Sequence, residues 1–136
     1  MKSKSVLFLF VALIFAGCKT DDIIWLNGQW EGVGCQLDLE ENNTWSISLE
    51  VDVYQQLFEI QYPSLECSGQ WELVEYSNDR AVFNELILEN TNTCIKEGTV
   101  IITKVDENHI SFSYYIIDGE DVLAFSTLKR KRDNNI

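Results

Sequence analysis

Thr44-Trp45-Ser46-Ile47-Ser48-Leu49-Glu50-Val51-Asp52 sets each apolar residue two positions from the next. Successive side chains of a β-strand point to opposite faces. The spacing therefore gives a strand with Trp45, Ile47, Leu49 and Val51 on a buried face and Thr44, Ser46, Ser48 and Glu50 on the other. An amphipathic helix would need apolar residues at three- and four-residue intervals. The same alternation recurs downstream. Phe58, Ile60 and Tyr62 alternate with Glu59 and Gln61, and Ile110, Phe112, Tyr114 and Ile116 line up against Ser111 and Ser113. Working outward gives eight expected strands, at 28–37, 44–52, 56–62, 68–76, 80–89, 98–105, 109–117 and 121–130. Asn, Asp, Gly and Ser crowd the links, as in Glu40-Glu41-Asn42-Asn43, Ser77-Asn78-Asp79 and Asp118-Gly119-Glu120; these residues favour turns. The single proline, Pro63, falls at a strand end, where its missing N–H costs little. Short links between every consecutive pair favour an all-β, antiparallel up-and-down barrel over a sandwich, which needs longer crossovers.

The amino terminus reads differently. Met1-Lys2-Ser3-Lys4-Ser5 precedes an apolar run from Val6 to Phe15, then Ala16-Gly17-Cys18. A basic head, a short apolar core and a small-residue cleavage site define a secretory signal peptide; the run is shorter than the roughly 20 residues a membrane-spanning helix needs. Phe15-Ala16-Gly17-Cys18 resembles the lipobox of bacterial lipoproteins, departing from its usual form only in Phe15 for Leu. The resemblance implies cleavage before Cys18, acyl chains on that cysteine and a lipid-anchored place on the bacterial outer membrane, periplasmic or surface-exposed. Lys19-Thr20-Asp21-Asp22 is similar to a surface-export signal of some Gram-negative groups, and reads equally as a solvated tether. The expected organisation is a signal peptide at 1–17, a lipidated cysteine and acidic tether at 18–27, a barrel at 28–132 and a tail at 133–136.

Charge limits the partners. The 136-residue chain has a formal charge of −12, which becomes −14 once Lys2 and Lys4 leave with the signal. Phosphate binding requires clustered Lys and Arg, so nucleic acid is not an expected partner. The basic residues that do cluster, Lys129-Arg130-Lys131-Arg132, read as a solvated tail after the last strand or as a docking site. The sole histidine, His109, sits in a turn-like stretch, and no CxxC occurs, so neither a metal nor another cofactor is expected. Of Cys18, Cys35, Cys67 and Cys94, lipidation of the first leaves three thiols in an oxidising compartment, and spacing alone does not choose among their three possible pairs.

Two further resemblances bear on fold. Gly28-Gln29-Trp30 resembles the GxW signature of the lipocalin and avidin group. It implies that Trp30 closes one end of a barrel beneath a basic residue of the last strand. Lys129, Arg130 and Arg132 are the candidates, with Arg130 taken as the closing residue beside Gly28 and Trp30. Trp30-Glu31-Gly32-Val33-Gly34, Thr44-Trp45-Ser46-Ile47 and Tyr62-Pro63-Ser64-Leu65-Glu66-Cys67-Ser68-Gly69-Gln70-Trp71 together are similar to a small uncharacterised bacterial domain with WxGxG and YPSLxCxGxW segments. That resemblance continues through Phe83-Asn84-Glu85-Leu86-Ile87 to a second cysteine before a glycine, Cys94 and Gly98. It implies a Cys67–Cys94 disulfide with Cys35 unpaired, and no activity.

One histidine and no clustered ligands give little support to a nucleophilic or metal-dependent enzyme, and most acidic residues fall in turns or on solvent faces. Catalysis is not expected. Glu85 is the exception among the acids, because it is in register with Phe83 and Ile87 and so shares their face. An unpaired buried charge is costly, so Glu85 needs a partner from another strand, as a structural ion pair or as a polar anchor for a ligand. Arg80 lies on the opposite face. Trp45, Phe58, Tyr62, Trp71, Phe112 and Tyr114 converge if the strands close, and an eight-stranded barrel either fills itself or holds one small ligand. The candidate site is these six aromatics with Glu85. A small apolar or aromatic ligand is the first expectation. A basic envelope protein, as for a hydrolase inhibitor or a toxin-immunity protein, is the alternative that the negative charge allows.

Overall fold

Each alternating segment forms a strand: β1 (Gly28–Gln36), β2 (Thr44–Asp52), β3 (Leu57–Tyr62), β4 (Cys67–Tyr76), β5 (Arg80–Glu89), β6 (Glu97–Asp106), β7 (His109–Ile116) and β8 (Ala124–Arg130). The structure, a computed structural model, describes residues 20–132. The expected signal peptide at 1–17, the expected lipidation site Cys18 and the expected tail at 133–136 lie outside the described residues. Every strand pairs antiparallel with its sequence neighbours, and β8 returns to β1, closing an eight-stranded up-and-down barrel.

The alternation in β2 and β3 sorts as expected, with Trp45, Ile47, Leu49, Val51, Phe58, Ile60 and Tyr62 all buried. Ile116 departs from the expected face, being half exposed, because β7 ends there at the rim. The last strand starts at Ala124 rather than 121. Residues 117–123 turn through Asp118, at φ 59°, and Leu123 is held by Leu123 N–H donating to the Tyr114 carbonyl at 2.8 Å.

Strands that run up and down put their links alternately at two poles. Links 37–43, 63–66, 90–96 and 117–123 gather at one pole, and 53–56, 77–79 and 107–108 at the other. The second pole is closed, and closed by residues that composition assigns to the tether. Ile23 and Leu26 are buried on short 3-10 turns before β1, because the two apolar side chains cover the barrel end that β1 leaves open. Ile23 and Leu26 thereby join the core cluster of the barrel. Trp30 Nε1–H donates to the Leu26 carbonyl at 2.9 Å, and the Arg130 guanidinium lies 4.2 Å from the Trp30 ring centroid. The same guanidinium donates to the carbonyls of Trp25, Asn27 and Glu107. Gly28 is at φ +122°, and a Cβ there would fall 2.7 Å from Arg130 Nη1, so glycine is required on both counts. Arg130 thus belongs to the interior pattern of β8 and not to a solvated tail.

Candidate functional site

Glu85 is 3% exposed inside the barrel, and strand register explains its neighbours. It pairs across β4 with Trp71 and across β6 with Gly98. Trp71 Nε1–H donates to Glu85 Oε1 at 2.9 Å, and the Tyr62 hydroxyl of β3 donates to the same oxygen at 2.5 Å. No ion pair among the described residues involves Glu85, so the structural ion pair considered from sequence is replaced by two neutral donors. Arg80 pairs instead with Glu75 on the outside, at 3.0 Å. Burial pushes the Glu85 carboxyl above the ordinary carboxylate range, against the two hydrogen bonds, which lower it. Tyr62 is raised well above the usual phenol range, first by burial and then by the adjacent carboxylate. Burial likewise raises Tyr114.

Above Glu85 lies a pocket of about 250 Å³ at the open pole. Trp45, Tyr62, Glu85 and Tyr114 line it from the wall, and Leu65, Cys94, Ile95 and Leu123 reach it from the links. Two of its rings are seated on glycines. A Cβ at Gly34 would meet the six-membered edge of Trp45 at 2.4 Å, and one at Gly98 would meet the Tyr114 hydroxyl at 2.1 Å. With that edge on Gly34, the Nε1 edge of Trp45 turns away from β1. Trp45 Nε1–H is buried and has no hydrogen-bond partner among the described residues. The Trp45 ring meets Tyr62 edge-on at 5.0 Å and Phe112 at 6.3 Å.

The seven candidates from sequence divide in two. Trp45, Tyr62, Glu85 and Tyr114 line the pocket, and Trp71 reaches it through Glu85. Phe58 and Phe112 lie beneath, where Phe58 packs on Phe83 at 5.0 Å and Phe112 stacks on Trp71 at 6.1 Å. These rings pack the barrel below the open-pole pocket, and Phe58 and Trp71 also border, with Glu85, Ile23 and Val53, a larger space of about 1000 Å³ along β4 and β5. The lining contributed by links was not legible, because a link carries no period to say where its side chains point.

The links are themselves held. Ser46 N–H donates to Ser64 Oγ at 2.9 Å and Ser64 N–H to Ser46 Oγ at 2.8 Å, clasping the Pro63–Leu65 turn onto β2. A Cys67–Cys94 disulfide, with Cα atoms 6.4 Å apart, ties link 90–96 to the start of β4. Cys35 is a free, half-buried thiol.

No family model, curated protein or solved structure matches the chain. The site must be read from its own chemistry. Among the described residues no group of three or more His, Cys, Asp or Glu is placed to hold a metal ion, and His109 is half exposed beside Asp106 at 2.8 Å, at the pole opposite the pocket. The pocket lining offers one buried carboxyl and aromatic walls.

Proposed function

We propose that the chain is an exported lipoprotein of the bacterial outer membrane whose barrel takes one small, partly aromatic molecule into its open pole without converting it. The observation that carries the reading is the open-pole pocket of about 250 Å³, walled by Trp45, Tyr62 and Tyr114 and lined by the buried Glu85 carboxyl. Size sets the class. A cavity of roughly 150 Å³ accommodates benzene, so about 250 Å³ suits one substituted ring. The anchor rests on the apolar run Val6 to Phe15 and on Phe15-Ala16-Gly17-Cys18. It leads to a concrete expectation: the chain extracted from membranes begins at Cys18 and carries acyl mass, and Cys18→Ser abolishes both.

A second reading, a module that binds a basic envelope protein, is favoured by exposed Leu37, Leu39 and Ile95 among acidic residues of the open-pole links. Native mass spectrometry of the chain purified from its own envelope separates the two. A small molecule that leaves on denaturation supports the binder. A second polypeptide supports the module, and an empty monomer counts against the binder.

A further inference from the structure

Resting on that binding reading, we infer that the ligand is a cation, a small amine carrying one ring. Glu85 is a buried acid that no cation of the described chain neutralises. Its two donors both use Oε1, and among the described residues none reaches Oε2. An ammonium group completes that oxygen with a charge-assisted hydrogen bond, which is about twice as strong as a neutral one. The walls favour the same chemistry. The rings of Trp45, Tyr62 and Tyr114 surround the pocket, and aromatic faces attract cations through their quadrupole, most strongly where water is excluded.

The entrance selects in the same direction. The four links of the open pole hold Asp38, Glu40, Glu41, Glu66, Asp118, Glu120 and Asp121 against a single basic residue, Lys96. A mouth of one sign concentrates ligands of the opposite sign. An anionic ligand would meet repulsion at the rim and an uncompensated carboxyl at the floor.

The test uses the chain from Thr20 onward, which contains the whole closed barrel, and two probes of one shape, 2-phenylethylamine and 2-phenylethanol. Quenching of tryptophan fluorescence reports occupancy, since Trp45 and Trp71 adjoin the pocket. The expected result is binding of the amine about tenfold or more tighter than the alcohol, with the preference lost in Glu85→Gln while alcohol binding persists. Equal affinity of the unmodified chain for both probes overturns the cation and leaves the binding pocket standing. Binding of neither overturns both.

Discussion

Glu85 accepts hydrogen bonds from two groups that stay neutral, and its carboxyl is held above the ordinary range by burial. The consequence for stability has a definite sign. The folded chain keeps this proton at pH values where the unfolded chain has already lost it. The contribution is therefore fully present below the unfolded value and is lost as pH rises through the folded one. Gln offers Tyr62 and Trp71 the same acceptor without ionising. Glu85→Gln is expected to stabilise the barrel by about 1 kcal/mol near neutral pH and by almost nothing around pH 4. Thermal unfolding at the two pH values checks this; an equal effect at both would mean that packing, and not charge, is responsible. A residue whose replacement strengthens the fold is kept for another reason, as binding sites often show. Arg130 has the opposite character. Stacked 4.2 Å over Trp30 and bonded to three backbone carbonyls, it uses both the plane and the fork of a guanidinium. Lysine has neither, and Arg130→Lys is expected to cost about 2 kcal/mol in urea unfolding. A loss below about 0.5 kcal/mol, the ordinary range for surface substitutions, would show that the closed pole does not depend on this residue.

Strands and links differ in how far they could be read from sequence, and the difference is physical. A half-buried strand repeats every two residues, so Trp45, Ile47 and Leu49 announce both element and face. The in-register position of Glu85 between Phe83 and Ile87 likewise announced a buried acid. Identifying its partners required knowing that Tyr62 comes from β3 and Trp71 from β4, and that the β4–β5 register, which sets Trp71 opposite Glu85, shifts between Ser68 and Gly69 and between Leu73 and Glu75. Periodicity carries no trace of such shifts. The 3-10 turn Ile24–Leu26 escaped for another reason: three residues are too few to show a period. Among the links, 90–96 depends on the Cys67–Cys94 bond, which closes a loop with a sequence separation of 27. Restricting the unfolded chain over such a loop is worth about 3–4 kcal/mol. Cys94→Ser is therefore expected to lower stability by that order in denaturant titration and to weaken probe binding, since Cys94 and Ile95 line the pocket. Unchanged affinity would mean that this link is held without the disulfide.

At the scale of the whole molecule, charge is unevenly placed. Seven acids oppose one lysine on the open-pole links, whereas Lys129, Arg130, Lys131 and Arg132 gather at the closed pole, where the described chain also starts. The mouth field should also be visible in kinetics. Raising ionic strength shortens the Debye length to about 3 Å at 1 M, so association of 2-phenylethylamine should slow several-fold while dissociation stays constant. Stopped-flow fluorescence measures both rates, and a salt-independent association rate would remove any steering role from these acids. β1 closes on β8, the last strand to be made. Ser126 Oγ, which donates to the Val33 carbonyl at 2.7 Å, stands 93 positions further along the chain. Contacts between segments so distant are slow to form, and none across this seam can form until the final strand has been synthesised. A nascent chain of this topology stays open from its first strand to its last, which is the condition in which a polypeptide can be threaded through a narrow translocation channel. Were the chain exported as proposed, the joint that finishes the barrel would act as a timer, postponing folding until passage is complete.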